Sequence, residues 1–372
     1  MSSRQFSTLV VRVLKYETFR ITQAYWMCKP MTQLNSRRQA VLSVVVQEYI
    51  SSATPVGSRT VVETYGLQVS AATIRNEMKA LEEHGLLTHP HTSAGRVPTE
   101  EGYRYFVEHL LPDQPLAADD QRMIQHMFHQ VHREADEWAQ LAAAVLAHTA
   151  QMGAVATPPR AEHCRFKHIE LVEVRDSLVL LVLVLHQGIV KQQMLSVDYG
   201  ITQEELSQTS NMLNDQLANL TISEMDISRL PLSSLGRQVL SVVQSIMSRE
   251  DMPGSEQIYR EGLSHILMQP EFTHAEEAQH LMTVLEQLPV LGSIFEGVRQ
   301  RDGVQILIGG DGRYEPLREL SLVLSRYGVD SSATGVLGIV GPVRMAYGRT
   351  IPLVRYMSQV MSDLVGQWYG EG

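Results

Sequence analysis

The run Ser70–Leu87, SAATIRNEMKALEEHGLL, decides the fold of the N-terminal third of the chain. Ser70 carries an N-cap side chain, and Gly85 has the backbone freedom that a left-handed helix end requires. A helix from Ala71 to His84 is expected between them. At about 100° per residue, Ile74, Met78 and Leu81 cluster on one side and face a core. The opposite side carries Ala72, Asn76 and Lys79, flanked by Thr73 and Arg75. Small residues permit close approach, and Asn and Arg form bidentate hydrogen bonds to adenine and guanine edges. That composition suits a helix lying in a DNA major groove. Glu82 and Glu83 come at the far end, directed away from phosphates if the N-terminal half enters the groove.

Upstream, Val41, Leu42, Val45, Val46, Tyr49 and Ile50 recur three and four apart between Ser36 and Ser51, the spacing of one buried helix face. Pro55 ends that helix, because the residue before a proline is pushed out of the helical region. Ser58 is the expected N-cap of a short second helix through Tyr65, which Gly66 closes. Downstream, Leu86 to Pro98 reads as a short strand, a loop and a strand restart at Arg96-Val97, and Thr99 caps a fourth helix with Glu100 and Glu101 in its first turn. Three helices followed by a β-hairpin make a winged helix-turn-helix. The candidate DNA contacts are Ser58, Arg59, Ser70, Ala72, Thr73, Arg75, Asn76 and Lys79, with His91, Thr92, Ser93 and Arg96 in the wing. Arg96 is placed to enter a minor groove or bind phosphate.

Charge argues in the other direction. The 372-residue chain has a net charge of −10, and Leu34–Leu111 holds seven Lys and Arg against eight acids. Phosphate attraction dominates non-specific binding, so this is no general nucleic-acid coat protein. DNA contact would have to come from a local basic surface. On the residues alone, a DNA-binding unit and a tri-helical protein-interaction module both stay open.

Three stretches of this module resemble the HrcA family of heat-inducible bacterial transcription repressors: PVGSRT at Pro55–Thr60, SAATIRNEMKALEEHGLL at Ser70–Leu87 and PHTSAGRVPTEEGYRYFV at Pro90–Val107. YREGLSHILMQPEF at Tyr259–Phe272 and GVLGIVGPVRMAYGRTIPLV at Gly335–Val354 extend the resemblance to nearly everything after Leu34. Asp311, in the turn Gly309–Gly312, stands where a glutamate is expected. The resemblance implies a homodimer on an inverted-repeat operator upstream of chaperone operons, vacated on heat stress, with the GroEL chaperonin keeping the repressor active. It also implies a GAF-like domain carrying an inserted dimerising domain.

The rest of the chain accords with an α+β multidomain protein. Residues 1–33 form a basic extension, with Arg4, Arg12, Lys15, Arg20 and Lys29 against Glu17. The DNA-binding module spans 34–111, and a helical linker spans 116–157. Three strands, Phe166–Val174, Leu178–His186 and Val190–Val197, and the helix Gln203–Leu217 belong to the first part of the GAF-like domain, 160–219. The mainly helical dimerising insertion is assigned to 220–288. Strands resume at Gln305–Gly309, Leu320–Tyr327 and Gly335–Val340 in the second part, 289–372, which closes on an amphipathic helix at Ile351–Trp368. One sheet, interrupted and resumed, is therefore expected.

Chemistry is sparse. Cys28 and Cys164 are the two cysteines, which excludes a disulfide scaffold and fits a reducing cytoplasm. The longest apolar run, Leu178–Leu185, is far short of the roughly 18 residues a membrane helix needs. His126, His129 and His132, with Glu134, read as a solvated helix face rather than a metal site. His84 and His89 flank the wing. Gly309–Gly312 lacks the spacing of a nucleotide-binding loop. No catalytic constellation is visible and no cofactor is expected. The rival function is a regulator that binds a small molecule within Phe166–Trp368.

Overall fold

The computed structural model describes residues 34–65, 69–90, 95–129, 135–161, 163–175, 177–186, 189–197, 201–225, 232–251, 257–286, 288–312, 314–329 and 333–369. Mixed helix and sheet give an α+β architecture. The chain opens with α1 (Ser36–Ser52), α2 (Ser58–Tyr65) and α3 (Ala71–Glu83), then a hairpin of β1 (Leu87–Thr88) and β2 (Val97–Pro98), and α4 (Glu100–Tyr105). Val41, Leu42, Val45 and Val46 of α1 are buried against Ile74, Met78 and Leu81 of α3, as their spacing requires. Each such aliphatic side chain contributes roughly 1.5–3 kcal/mol on leaving water.

The helix ends follow local chemistry. Asn35 caps α1 by accepting from the Arg38 N–H at 2.8 Å, and Ser70 caps α3 by accepting from Thr73 N–H at 3.2 Å. Gly85 sits at φ 74° beyond the end of α3, and the Leu86 N–H reaches back to Leu81 O at 3.0 Å. One expected cap is displaced: Gly57 rather than Ser58 precedes the first turn of α2, its carbonyl accepting from Val61 N–H at 3.2 Å.

Two helices, α5 (Ala118–His129) and α6 (Ala135–Ala150), lead to β3 (Gly153–Ala156). Next come β4 (Phe166–Arg175), β5 (Leu178–Leu185), β6 (Val190–Ser196), α7 (Gln203–Leu217) and α8 (Ser234–Glu250). After β7 (Tyr259–Glu261) the chain forms α9 (Leu263–Leu267), α10 (Ala275–Glu286), α11 (Leu288–Arg299), β8 (Val304–Ile308), β9 (Leu320–Val329), β10 (Ala333–Pro342) and α12 (Tyr347–Tyr369).

The single interrupted sheet expected from sequence is two separate sheets. One has the order β7-β3-β10-β9-β8 and the other β4-β5-β6, with every pairing antiparallel. β3 and β7 are short, and they complete the larger sheet that the longer strands alone do not reveal. Both faces of that sheet are covered. Val323, Leu337 and Ile339 pack toward α6 and α12, while Leu322, Leu324, Val336 and Val340 pack toward α9 and α11. Burial on both sides explains why β9 and β10 are apolar almost without alternation.

The smaller sheet has its own core, in which Phe166, Ile169, Leu171, Leu181, Leu183 and Leu185 pack on Leu206, Leu213, Val239, Leu240 and Val243 of α7 and α8. Helix α7 also blunts the outer edge of β4. The Asn214 amide exchanges hydrogen bonds with the Ile169 N–H and carbonyl at 2.8 and 3.0 Å, and the Gln203 amide does so with Glu173 N–H and Leu171 O at 2.8 and 2.9 Å. The other face of this sheet is open: Leu180, Val182 and Val184 are half-buried, and Val172, Val174, Val190 and Met194 are exposed.

Candidate nucleic-acid interface

Helix α3 presents its polar side to solvent. Ala72, Arg75, Asn76 and Lys79 are exposed, and Thr73 is half-buried with its hydroxyl 3.0 Å from that of Ser70. The exposed side chains share one face because Ile74, Met78 and Leu81 fix the opposite one in the core. Ser70 is itself exposed at the helix start, where backbone N–H groups and the helix dipole favour an anion such as a phosphate. Arg59 is exposed on α2 and Ser58 is half-buried at its first residue. His91, Thr92 and Ser93 lie outside the described residues.

Two acids of this module, Glu77 and Glu82, are drawn inward, while Glu63, Glu83 and Glu101 stay exposed. Glu77 is only 15% exposed and pairs with Arg38 at 3.0 Å and Arg37 at 3.9 Å, tying α3 to α1. Glu82, 22% exposed, pairs with Arg96 at 2.9 Å and with His89. Glu101 pairs with Arg104. A carboxylate neutralised by a neighbour contributes little to the outward field, and Arg59, Arg75 and Lys79 are exposed cations on α2 and α3. Lys79 is 72% exposed, and among the described residues its one ion-pair partner is Glu83, at 4.0 Å, a contact that water screens.

Arg96 plays a part that spacing could not reveal. Its pair with Glu82 joins the hairpin to the end of α3, and its backbone bridges Val56, with hydrogen bonds of 2.8 and 2.9 Å. Val56 thus adds a third extended segment beside β2. The only hint in the sequence was Pro55, which favours extended backbone around it.

The module is built into the body of the protein rather than hung from it. The aromatic rings of Tyr103 on α4 and Tyr347 at the start of α12 lie 6.1 Å apart, and burial pushes both phenols above their ordinary range. Arg104 reaches Asp311 at 2.9 Å. Burial works against its charge, but Glu101 and Asp311 more than offset that and hold the guanidinium above its usual pKa. Asp311, at φ 52°, also accepts from the Ile308 N–H at 3.2 Å. The aspartate in place of the expected glutamate therefore has a structural role. Arg344, between β10 and α12, donates to Ile50 O at the end of α1 at 3.0 Å, to Gln269 at 3.0 Å and to both oxygens of Glu271.

Among the described residues no helix is long and apolar enough to cross a membrane, and no group of three His, Cys, Asp or Glu residues is placed to hold a metal ion. His126 and His129 are exposed on α5, while His132 and Glu134 lie outside the described residues.

A compact helical trio with a short hairpin, docked on a larger α+β body, belongs to a class of transcription regulators according to the proteins it resembles. A family model described as the HrcA protein C terminal domain matches residues 136–351. The heat-inducible transcription repressor HrcA of Herpetosiphon aurantiacus is 48% identical over 347 residues, covering 91% of this chain and 97% of that protein. That of Roseiflexus castenholzii is 46% identical over 347 residues, with 91% and 96% covered, and one from Dehalococcoides mccartyi is 40% identical over 338 residues, with 91% and 98% covered. The chain belongs to the HrcA family of heat-inducible transcription repressors. A crystal structure described as that of a hypothetical protein superposes with a TM-score of 0.54 at 23% identity, covering 90% of this chain and 98% of the other. It shares the fold.

Proposed function

We propose that the protein is a dimeric cytoplasmic repressor whose N-terminal module is a winged helix-turn-helix, with α3 read as the recognition helix. It binds an inverted-repeat operator upstream of heat-shock chaperone operons and leaves it on heat stress. The observation that carries this reading is the exposed face Ala72, Arg75, Asn76 and Lys79, clear of the inward-paired acids. Ser58, Arg59, Ser70 and Thr73 border that face, and His91, Thr92, Ser93 and Arg96 belong to the proposed wing. A two-fold protein matches a two-fold operator, with half-sites separated by whole helical turns.

The five-stranded sheet with helices on both faces supports assigning the body as GAF-like. The separate core of β4–β6, α7 and α8 supports moving the inserted dimerising unit from residues 220–288 to roughly Cys164–Asp251, since a unit with its own core is the natural insertion. Its open apolar face is the surface on which a second copy would bury Leu180, Val182 and Met194. GroEL acts as partner in this reading because the competent dimer is only marginally stable. Differences of 1–2 kcal/mol change folded populations about 5–30-fold.

The test is a titration of purified protein against the inverted-repeat duplex and a scrambled duplex at physiological salt, at growth and heat-shock temperatures, with and without chaperonin. The expected preference for the repeat is about 1,000-fold or more, lost at the higher temperature unless chaperonin is present. Equal weak binding to both duplexes by folded dimer would demote the module to protein interaction. Affinity that holds through the heat-shock range without chaperonin would remove the stability mechanism.

Two substitutions test the groove face itself. Asn76→Ala should cost about 1–3 kcal/mol and relax base preference, as the loss of a bidentate base contact does. Lys79→Ala should weaken all sequences alike and reduce the slope of log affinity against log salt by about one. Both side chains are exposed, so folding should be unaffected. If neither change alters binding, α3 is not seated in the groove as proposed.

A further inference from the structure

Arg260 lies on β7, an edge strand of the larger sheet. Its partner across the ladder is Val155 of β3, and directly opposed residues of an antiparallel pair point to the same face. Val155 is buried among Leu291, Ile294, Phe295 and Val298 of α11, and Ile258, two residues before Arg260, packs on the same cluster. Arg260 therefore shares the face of Val155, while its neighbours Tyr259 and Glu261 turn to the opposite face. The end of α11 brings a second guanidinium to the end of β3. Arg299 Nη2 lies 3.4 Å from Oγ1 of Thr157, which continues β3 two residues beyond Val155 and is fully buried.

The Arg260 guanidinium is oriented in an unusual way. Its Nε and Nη2 atoms are both buried and neither has a hydrogen-bond acceptor. Those two nitrogens form the side-on fork of an arginine, the edge that matches the two oxygens of a carboxylate or phosphate. Among the described residues Arg260 makes no ion pair. A buried cationic fork without an acceptor is costly. A wholly structural arginine would be expected to turn that edge toward an acid or a carbonyl.

We infer that the Nε–Nη2 fork of Arg260, on the Val155 face of the edge strand β7, binds an oxyanion group, a carboxylate or a phosphate, of a small molecule. The site is remote in sequence from the DNA-facing module and does not depend on the DNA reading. It gives the body of the repressor a chemical input besides temperature.

The experiment is thermal unfolding and calorimetric titration of the full-length protein with inorganic phosphate and, separately, acetate, with chloride matching the ionic strength. The comparison is with Arg260→Lys, which keeps the charge but loses the fork, and Arg260→Met, which loses both. The expected result is saturable stabilisation of the wild type by at least one of the two anions. Its midpoint should rise about 10-fold or more in Arg260→Lys, as expected for losing a charged hydrogen bond, with no saturation in Arg260→Met. The anion that saturates identifies the source chemistry. No saturable response in the wild type, or the same midpoint in wild type and Arg260→Lys, would overturn the site and leave water as the partner of the fork. Neither readout involves DNA, so failure here is separate from failure of operator binding.

Discussion

Gly102→Ala is expected to lower the melting temperature of the N-terminal module and to abolish tight operator binding, although Gly102 itself is remote from the groove face. A Cβ at this position would lie 2.1 Å from the carbonyl oxygen of Leu86 and 3.1 Å from its carbon. Both are backbone atoms, so the clash cannot be relieved by turning a side chain. The neighbourhood is closely tied. Thr99 Oγ1 accepts from Gly102 N–H at 3.0 Å and donates to Gly85 O at 2.6 Å, and Thr99 N–H donates to Leu86 O at 3.1 Å. Moving α4 away from Leu86 therefore breaks the cap of α4, the closure after α3 and the root of the hairpin together. Overpacking costs about 1–3 kcal/mol and a lost cap about 1 kcal/mol, which is a large share of the stability of a small module. The check is circular dichroism melting alongside operator titration, with Gly348→Ala as a control. A Cβ at Gly348 meets only a Leu111 methyl carbon at an ordinary 3.5 Å. If Gly102→Ala melts and binds as the wild type does, the contact between Leu86 and α4 is not rigid.

The contrast between these two glycines shows what the sequence could disclose. The helix ends at Ser70, Gly85 and Thr99 were legible because capping is a local interaction between residues three or four apart. The buried faces of α1 and α3 were legible because helical periodicity is local too. The close approach of Gly102 to Leu86 was not, since it depends on how α4 folds back over sixteen residues. The same reason explains the sheets. Strands β4, β5 and β6 were recognisable from their length and apolar content, but nothing in a strand states which sheet it joins. β3, only Gly-Ala-Val-Ala, and β7, Tyr-Arg-Glu, have no strand signature and acquire their role by pairing with β10 and with each other. In the candidate interface the polar face of α3 could be read from angle alone. That two of the module's acids turn inward, Glu77 to Arg38 and Glu82 to Arg96, could not, because each pair joins separate elements.

Arg344→Ala should separate operator recognition from half-site recognition. Arg344 is only 11% exposed at its side chain, and its guanidinium gathers Glu271, Gln269 and the Ile50 carbonyl at the end of α1. The last carbonyls of a helix have no partner within the helix, so Arg344 both satisfies one of them and fixes the direction of α1 relative to β10 and α12. Removing the arginine leaves Glu271 without its counterion in a partly buried place. Breaking such a pair costs about 3–5 kcal/mol when fully buried, and less here because Glu271 is about a third exposed. Tyr49, whose phenol is already raised by burial and by Glu271, would be raised further without the opposing effect of Arg344. The groove face of α3 does not touch this cluster, so binding to a single half-site should stay close to that of the wild type. A dimer on an inverted repeat also needs both modules held at one separation. Loosened modules forfeit the effective concentration that makes the second contact nearly intramolecular, an advantage of order 100-fold or more. Affinity for the full repeat should therefore fall by tens-fold, and the temperature at which the operator is vacated should fall with it. Arg344→Lys restores the charge but cannot reach three acceptors at once, and should lie between. The measurement compares half-site and full-repeat duplexes for all three proteins across temperature. Equal losses on both duplexes would mean that Arg344 supports the folding of the module rather than its position, and no loss on either would mean that the contact with α1 does not set the orientation of the DNA-facing helices.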